Sequence, residues 1–385
     1  MKILVIAHFQ NDNSPCAIFV HDQVKAFYEL GHRVLVLSLV PYIKKDYFRK
    51  RFSKTIKCIS IDNIEYAFLR YISLSKYGAK GFNQRQAKKA ISIKAFNMIK
   101  AFNPDIIHAH TFGIDGDVGV WLKDKLRCPL VITTHGSDTT LPIRQGNWDS
   151  IVSYSAKADY VVCVGGKLKC ELESIGVNTK VAVIHNGFNI QFVKEKQDKQ
   201  PKSILQVGNL VPSKRNDITI RAFSLIKKQY PQSVLTIIGD GPEKNNLIEL
   251  CNKLGINDSV EFLGWLPNET VLAKMASSEF FVMVSSPEGF GIVYLEAMAS
   301  YCLTLAAINE GISDIIVSGN NGFLLPVDDP EAIAKTIIWA MDNKDIVKQI
   351  TTNGHNDAIN YSWINNALRY LNIFEELTEG NSNAY

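Results

Sequence analysis

Short apolar runs rich in β-branched residues recur along this chain, each ending at a polar or glycine-bearing turn and followed by a segment of helical periodicity. Such an alternation builds a parallel sheet with helices on its faces. Residues 1–7 read as the first strand, about 18–30 as a helix stopped at Gly31, and 32–39 as the next strand. Strands at 104–110, 130–134, 160–164 and 181–184 continue the series as far as His185-Asn186-Gly187. After the polar run 194–202 the alternation starts again, with strands at 203–207, 234–238, 260–263, 280–284 and 303–307. At 385 residues there is chain for two doubly wound domains. The expected division is 1–187, a linker at 188–202, and 203–365, with a final amphipathic helix at about 366–380 crossing back onto the first domain.

Composition narrows the class. No apolar run approaches the ~20 residues that span a bilayer, and the first apolar run is too short for a signal peptide, so a cytosolic chain is expected. Seven cysteines without CxxC spacing read as buried free thiols, with neither a disulfide framework nor a zinc site. Charge is uneven: residues 1–100 hold 18 Lys+Arg against 6 Asp+Glu, whereas residues 201–385 hold 13 against 21. The basic clusters Lys44–Lys57 and Lys76–Lys100, interleaved with Phe and Tyr, read either as amphipathic helices resting on the inner face of an anionic membrane or as core-facing helices with basic outer faces. No nucleic-acid reading motif accompanies them.

The chemistry concentrates in the second half. An apolar run at 279–284 leads into Ser285-Ser286-Pro287-Glu288-Gly289-Phe290-Gly291, and 292–299 then has a helical pattern. Gly289 and Gly291 allow unusual backbone angles and close approach of a ligand. The first N–H groups of the helix lack partners and carry the positive end of its dipole, which makes a phosphate seat. Glu288 and Glu296, with seven residues between them, add carboxylates that accept hydrogen bonds from hydroxyls. A ligand with hydroxyls on both sides of a phosphate suits this arrangement, and a sugar nucleotide is such a ligand. Three more turns end strands of the same domain. Gly208 to Arg215 offers Lys214 or Arg215 to a diphosphate. Gly239-Asp240-Gly241-Pro242 is a lone GxG, and Gly264-Trp265-Leu266-Pro267 offers an edge for a base. Singly each reads as a tight turn; four at one end of a sheet make a ligand crevice.

In the first half the turn after the first strand has no glycine, which argues against a dinucleotide enzyme. His108, His110 and His135 fall at strand ends where a ligand would lie, and hydrogen-bonded histidines are expected there in preference to a metal site.

These residues resemble the retaining glycosyltransferases of family 4, which have the GT-B fold of two Rossmann-like domains facing an interdomain cleft. The resemblance runs nearly the whole chain and rests on Glu288 to Ala299 as a Glu-x7-Glu signature, on 207–214, 238–242 and 321–324, and on His185-Asn186-Gly187. It implies that Glu296 binds the nucleotide ribose and Glu288 the donor sugar. The N–H groups of Phe290, Gly291 and Ile292 would hold the diphosphate or sugar with Lys214, and His135 would face the donor sugar. Asn209, Arg215, Gly239, Gly241 and Leu266 complete the expected nucleotide site. The donor would be a UDP- or GDP-sugar, the acceptor a glycan or lipid-linked sugar for surface polysaccharide, with retention and without a metal. The chain departs from the family pattern at Asn209, where arginine is usual, at Cys16-Ala17 in place of glycines, and at Gly311-Ile312-Ser313-Asp314 in place of Gly-Ile-Pro-Glu. A nucleotide-sugar-binding scaffold and a sugar-nucleotide epimerase of the same fold are the alternatives.

Overall fold

Strand, helix and strand repeat in the computed structural model, which describes residues 1–8, 18–43, 56–73, 81–193 and 197–382. The chain divides into a unit of 1–187 with 363–385 and a unit of 188–362.

The first unit is built on eight strands: β1 (Lys2–His8), β2 (Arg33–Ile43), β3 (Lys57–Ile61), β4 (Ile64–Ser73), β5 (Ile106–His110), β6 (Leu130–Thr134), β7 (Tyr160–Cys163) and β8 (Val181–Val183). They lie in the order β3-β4-β2-β1-β5-β6-β7-β8. All neighbours are parallel except β3, which is antiparallel to β4. The middle strand β1 is covered on both faces, which is why Ile3, Leu4, Val5 and Ile6 are continuously apolar and fully buried.

The basic, aromatic stretch departs from the expected helices. Lys44 to Lys54, Lys76 and Lys80 lie outside the described residues. Between them Tyr66, Phe68 and Tyr71 belong to β4, where they are buried in the sheet. The signal was Asp62-Asn63: both residues have positive φ (50° and 62°), the backbone of a two-residue hairpin turn, and Asp and Asn tolerate it. Among the described residues of this stretch the helices are Phe82–Lys94 and Phe96–Phe102. One of its lysines, Lys88, is spent on Asp117 at 2.8 Å.

The last helix, Trp363–Ser382, belongs to the first unit and starts three residues earlier than expected. Ala367, Tyr370, Leu371 and Phe374 recur at helical spacing and are buried. They pack against helix Ile18–Glu29, with Phe27 5.7 Å from Phe374 and Gln23 Nε2 donating to Asn366 Oδ1 at 2.7 Å.

The second unit has six parallel strands: β9 (Gln200–Val207), β10 (Val234–Ile238), β11 (Val260–Gly264), β12 (Ser278–Met283), β13 (Leu303–Ala307) and β14 (Phe323–Leu325). Their order is β11-β10-β9-β12-β13-β14. Phe280 and Val282 share one face of β12 and join Phe223, Leu235, Leu305 and Ile333 in the core, while Phe281 takes the other face against Tyr294. The strand order reverses between β9 and β12, and ligands of open α/β sheets bind beyond the carboxyl ends at such a point.

The linker expected at 188–202 is largely part of this unit. Phe188 bridges to Ser362 and its N–H donates to Tyr361 O at 3.0 Å. Residues 200–202 already belong to β9, with Gln200 opposite Ser278. Gln200 and Pro201 are exposed and Lys202 is half-buried, so the three read as polar linker although the backbone is paired.

Candidate functional site

Two loops flank the reversal point of the second sheet, 208–215 after β9 and 284–291 after β12. Ser286 N–H donates to Ser213 O at 2.8 Å, tying them together. Across this junction the Lys214 ammonium pairs with the Glu288 carboxylate. The Lys214 stem runs over Gly208, whose missing Cβ would lie 3.7 Å from its Cδ and Cε. Glu288 Oε2 also accepts from Ser285 Oγ at 2.9 Å. Ser285 Oγ lies 3.1 Å from the Tyr294 hydroxyl, which donates to Met283 O at 2.6 Å. Burial, helped by the Glu288 charge, pushes the Tyr294 phenol far above its ordinary range, so it stays a neutral donor. The sequence thus places one cation and one carboxylate, partly buried and mutually held, where a ligand would sit.

The helix Ile292–Ala299 opens beside this pair. Gly291 caps it at φ 80°, and a Cβ there would fall 2.5 Å from the Tyr294 ring, so backbone and space both demand glycine. Phe290 is buried and anchors the turn, and Ile292 begins the helix. Glu296 is half-buried one turn on, 3.4 Å from Asn268 Nδ2.

The remaining turns are zipped to one another. Leu210 N–H donates to Asp240 O at 2.9 Å and Gly239 N–H to Gly264 O at 2.8 Å. A Cβ on Gly239 would lie 2.0 Å from Gly208 O, and one on Gly241 2.4 Å from Leu210 O. Both glycines are therefore required by the packing of neighbouring turns. Asn209 is exposed and Leu266 half-buried, while Trp265 beside it is 76% exposed. Arg215 pairs with Asp328, which leaves Lys214 as the loop cation turned toward Glu288.

In the first unit His135 follows β6. Its Nε2 lies 3.0 Å from His110 Nδ1, with the two rings stacked. Burial lowers the His135 pKa to about 4 against the opposing pull of Asp138, and lowers that of His110 as well, so both rings are neutral at pH 7. His108 does not face a ligand. It is fully buried, 2.8 Å from Thr133 Oγ1 and 5.0 Å from the Tyr370 ring, and burial lowers its pKa to about 3. Alternation along β5 put it on the same face as His110 but one step deeper, where the last helix covers it. Among the described residues no three His, Cys, Asp or Glu are grouped as a metal site would need.

Two family models tile the chain: Glycosyltransferase Family 4 over residues 17–192 and Glycosyl transferases group 1 over 188–357. An uncharacterized glycosyltransferase of Methanocaldococcus jannaschii is 30% identical over 302 residues, which is 70% of this chain and 75% of the relative. The chain belongs to glycosyltransferase family 4. A second uncharacterized glycosyltransferase of that archaeon is 28% identical over 284 residues, 74% of this chain and 78% of the relative. HepE of Anabaena, solved in complex with UDP-glucose, superposes with a TM-score of 0.75 over 98% of this chain and 100% of its own, at 20% identity. The fold is accordingly GT-B, with two Rossmann-like units, and the chain is a glycosyltransferase.

Two residues of this glycosyltransferase escaped the sequence reading. Asp138 accepts from His135 N–H (3.0 Å), Gly136 N–H (3.2 Å), Thr134 Oγ1 (3.0 Å) and Phe112 N–H (2.9 Å), so it fixes the turn that carries His135. Glu310 accepts the N–H of Glu288 at 2.8 Å. The signal for Asp138 was its place three residues after His135, where a short carboxylate reaches back to turn amides. The cysteines are mixed: Cys128, Cys163, Cys251 and Cys302 are buried, but Cys58 and Cys170 are exposed, and Cys16 is outside the described residues. Cys58 is on the hairpin strand β3, whose alternation turns it outward. No helix among the described residues is long and apolar enough to cross a membrane.

Proposed function

We propose that this glycosyltransferase moves a sugar, with retention, from a nucleotide diphosphate sugar to a glycan or lipid-linked acceptor in surface polysaccharide assembly. The observation that carries the donor half is the Lys214–Glu288 pair at the reversal point of the second sheet, beside a helix N-terminus. Lys214 and the N–H groups of Phe290, Gly291 and Ile292 neutralise the diphosphate as the glycosidic bond breaks, the task a divalent ion performs elsewhere, so no metal is needed. Glu288 takes the sugar hydroxyls and Glu296 the ribose hydroxyls, as acceptor-only groups. Leu266 lies along the base; Gly239 and Gly241 shape the seat through their packed turns, and Asn209 lines it. Arg215 acts through its pairing with Asp328. The family resemblance assigns His135 to the donor sugar, and its neutral ring suits hydrogen bonding to a hydroxyl. The UDP-glucose complex of HepE favours a uridine donor. The excess of 18 Lys+Arg over 6 Asp+Glu in residues 1–100 favours an anionic lipid-linked acceptor reached at the cytosolic membrane face.

The test is donor turnover without acceptor. Incubation with UDP- and GDP-sugars is expected to release free nucleotide diphosphate slowly, with one base preferred. A sugar altered but still attached to its nucleotide, or no turnover of any nucleotide sugar with acceptor extracts present, contradicts the reading.

A further inference from the structure

Glu310 lies just beyond β13, is 5% exposed, and reaches into the loop that carries Glu288. Its Oε2 accepts the N–H of Glu288 at 2.8 Å and its Oε1 the hydroxyl of Ser286 at 2.6 Å. The same carboxylate accepts the backbone N–H of Ser313 as the start of a short turn of helix, whose Ser313 hydroxyl reaches back to the Glu310 N–H at 3.3 Å. Next to it Gly311 is pressed against the loop, since a Cβ there would lie 2.0 Å from Gly289 O, and its N–H is 3.4 Å from Glu288 O. The two loops therefore meet backbone to backbone, with Glu310 as the buried acceptor that gathers their donors.

We propose that Glu310 is a positioning residue for the donor sugar: it fixes the backbone of Glu288, so that the Glu288 carboxylate stands beside Lys214 and Ser285 in the orientation a sugar hydroxyl needs. This rests on the donor reading given above. A carboxylate is suited to the task because it has only acceptor oxygens, enough for three donors at once. An amide would turn an NH2 group toward one of those donors, and alanine would leave the Glu288 N–H and the Ser286 hydroxyl without this acceptor. The seat of the diphosphate is built from other residues, so the effect falls on the sugar.

The experiment compares binding of UDP-glucose, or of whichever nucleotide sugar wild type turns over, with binding of its nucleotide diphosphate alone, by titration calorimetry. Glu310→Ala is expected to weaken the nucleotide sugar at least about 10-fold while the nucleotide diphosphate changes less than about 2-fold. Glu310→Gln is expected to act in the same direction by a smaller factor, and it carries the test if melting shows that the alanine variant does not fold. Adding Glu310→Ala to Glu288→Ala is expected to cost nothing further, because Glu310 acts through Glu288. If Glu288→Ala does not weaken the nucleotide sugar, the donor reading is wrong. If Glu288→Ala weakens it and the folded Glu310 variant does not, or if the two losses multiply, the positioning role is overturned.

Discussion

Glu288→Ala is expected to reduce sugar transfer by at least about 100-fold, and Lys214→Ala by a similar factor, while each variant keeps the wild-type fold. The size follows from what the two groups do. Lys214 lies partly buried at 23% side-chain exposure and Glu288 at 14%, so a charge there acts through a poorer dielectric than water. Removing a preorganised group that stabilises developing charge costs roughly 3–4 kcal/mol of barrier. The folded state is expected to change less, because the pair sits at the mouth of strand ends and neither group belongs to the core. Steady-state kinetics with a fixed donor, together with a melting curve of each variant, measures both quantities. Transfer at the wild-type rate by either variant contradicts the site assignment.

Gly239→Val is expected to unfold the second unit or to lower its melting temperature by about 10 °C or more, since a clash of this kind exceeds about 4 kcal/mol. The residue has φ 137°, and a side chain would enter the backbone of Gly208, whose O and C lie 2.0 Å and 2.8 Å from the Cβ position. Nothing there is the movable end of a side chain. Gly255 supplies the contrast: it also has positive φ, 68°, but nothing lies within 4 Å of its Cβ position. Gly255→Ala is expected to cost only about 1 kcal/mol, from strain at the helix end. Thermal melting of the two variants side by side separates the effect of space from that of backbone angle. Equal losses would mean that the zipped turns do not carry the strain described.

The alternation of apolar runs with helical segments made both sheets legible, because a strand segment buried on two faces must be continuously apolar, as 3–7 in β1 and 280–283 in β12 are. The meeting of Lys214 with Glu288 follows from the same pattern, because both lie in turns that follow such strands, where a charged side chain has little to do for the core. The hairpin β3–β4 was misread because Lys57, Arg70 and their neighbours gave the stretch a basic, aromatic composition, and composition outweighed the two-residue turn Asp62-Asn63. The extent of β9 was misread because pairing is a property of backbone, which Gln200 and Lys202 do not disclose. His108 and His110 look equivalent in sequence; only the packing of Tyr370 and Phe374 from the far end of the chain distinguishes them. Glu310 was invisible for the same reason, since its partners Ser286 and Glu288 lie 24 and 22 residues away.

The central claim is that a nucleotide sugar is held by the loops after β9 and β12. Hydrogen–deuterium exchange with and without a nucleotide sugar that raises the melting temperature tests it most directly, because a bound ligand protects the amides it covers. The predicted result is slowed exchange at residues 208–215 and 286–296, with the outer strand amides of 323–325 unchanged. Stabilisation by the ligand with no change in exchange at either loop would contradict the account.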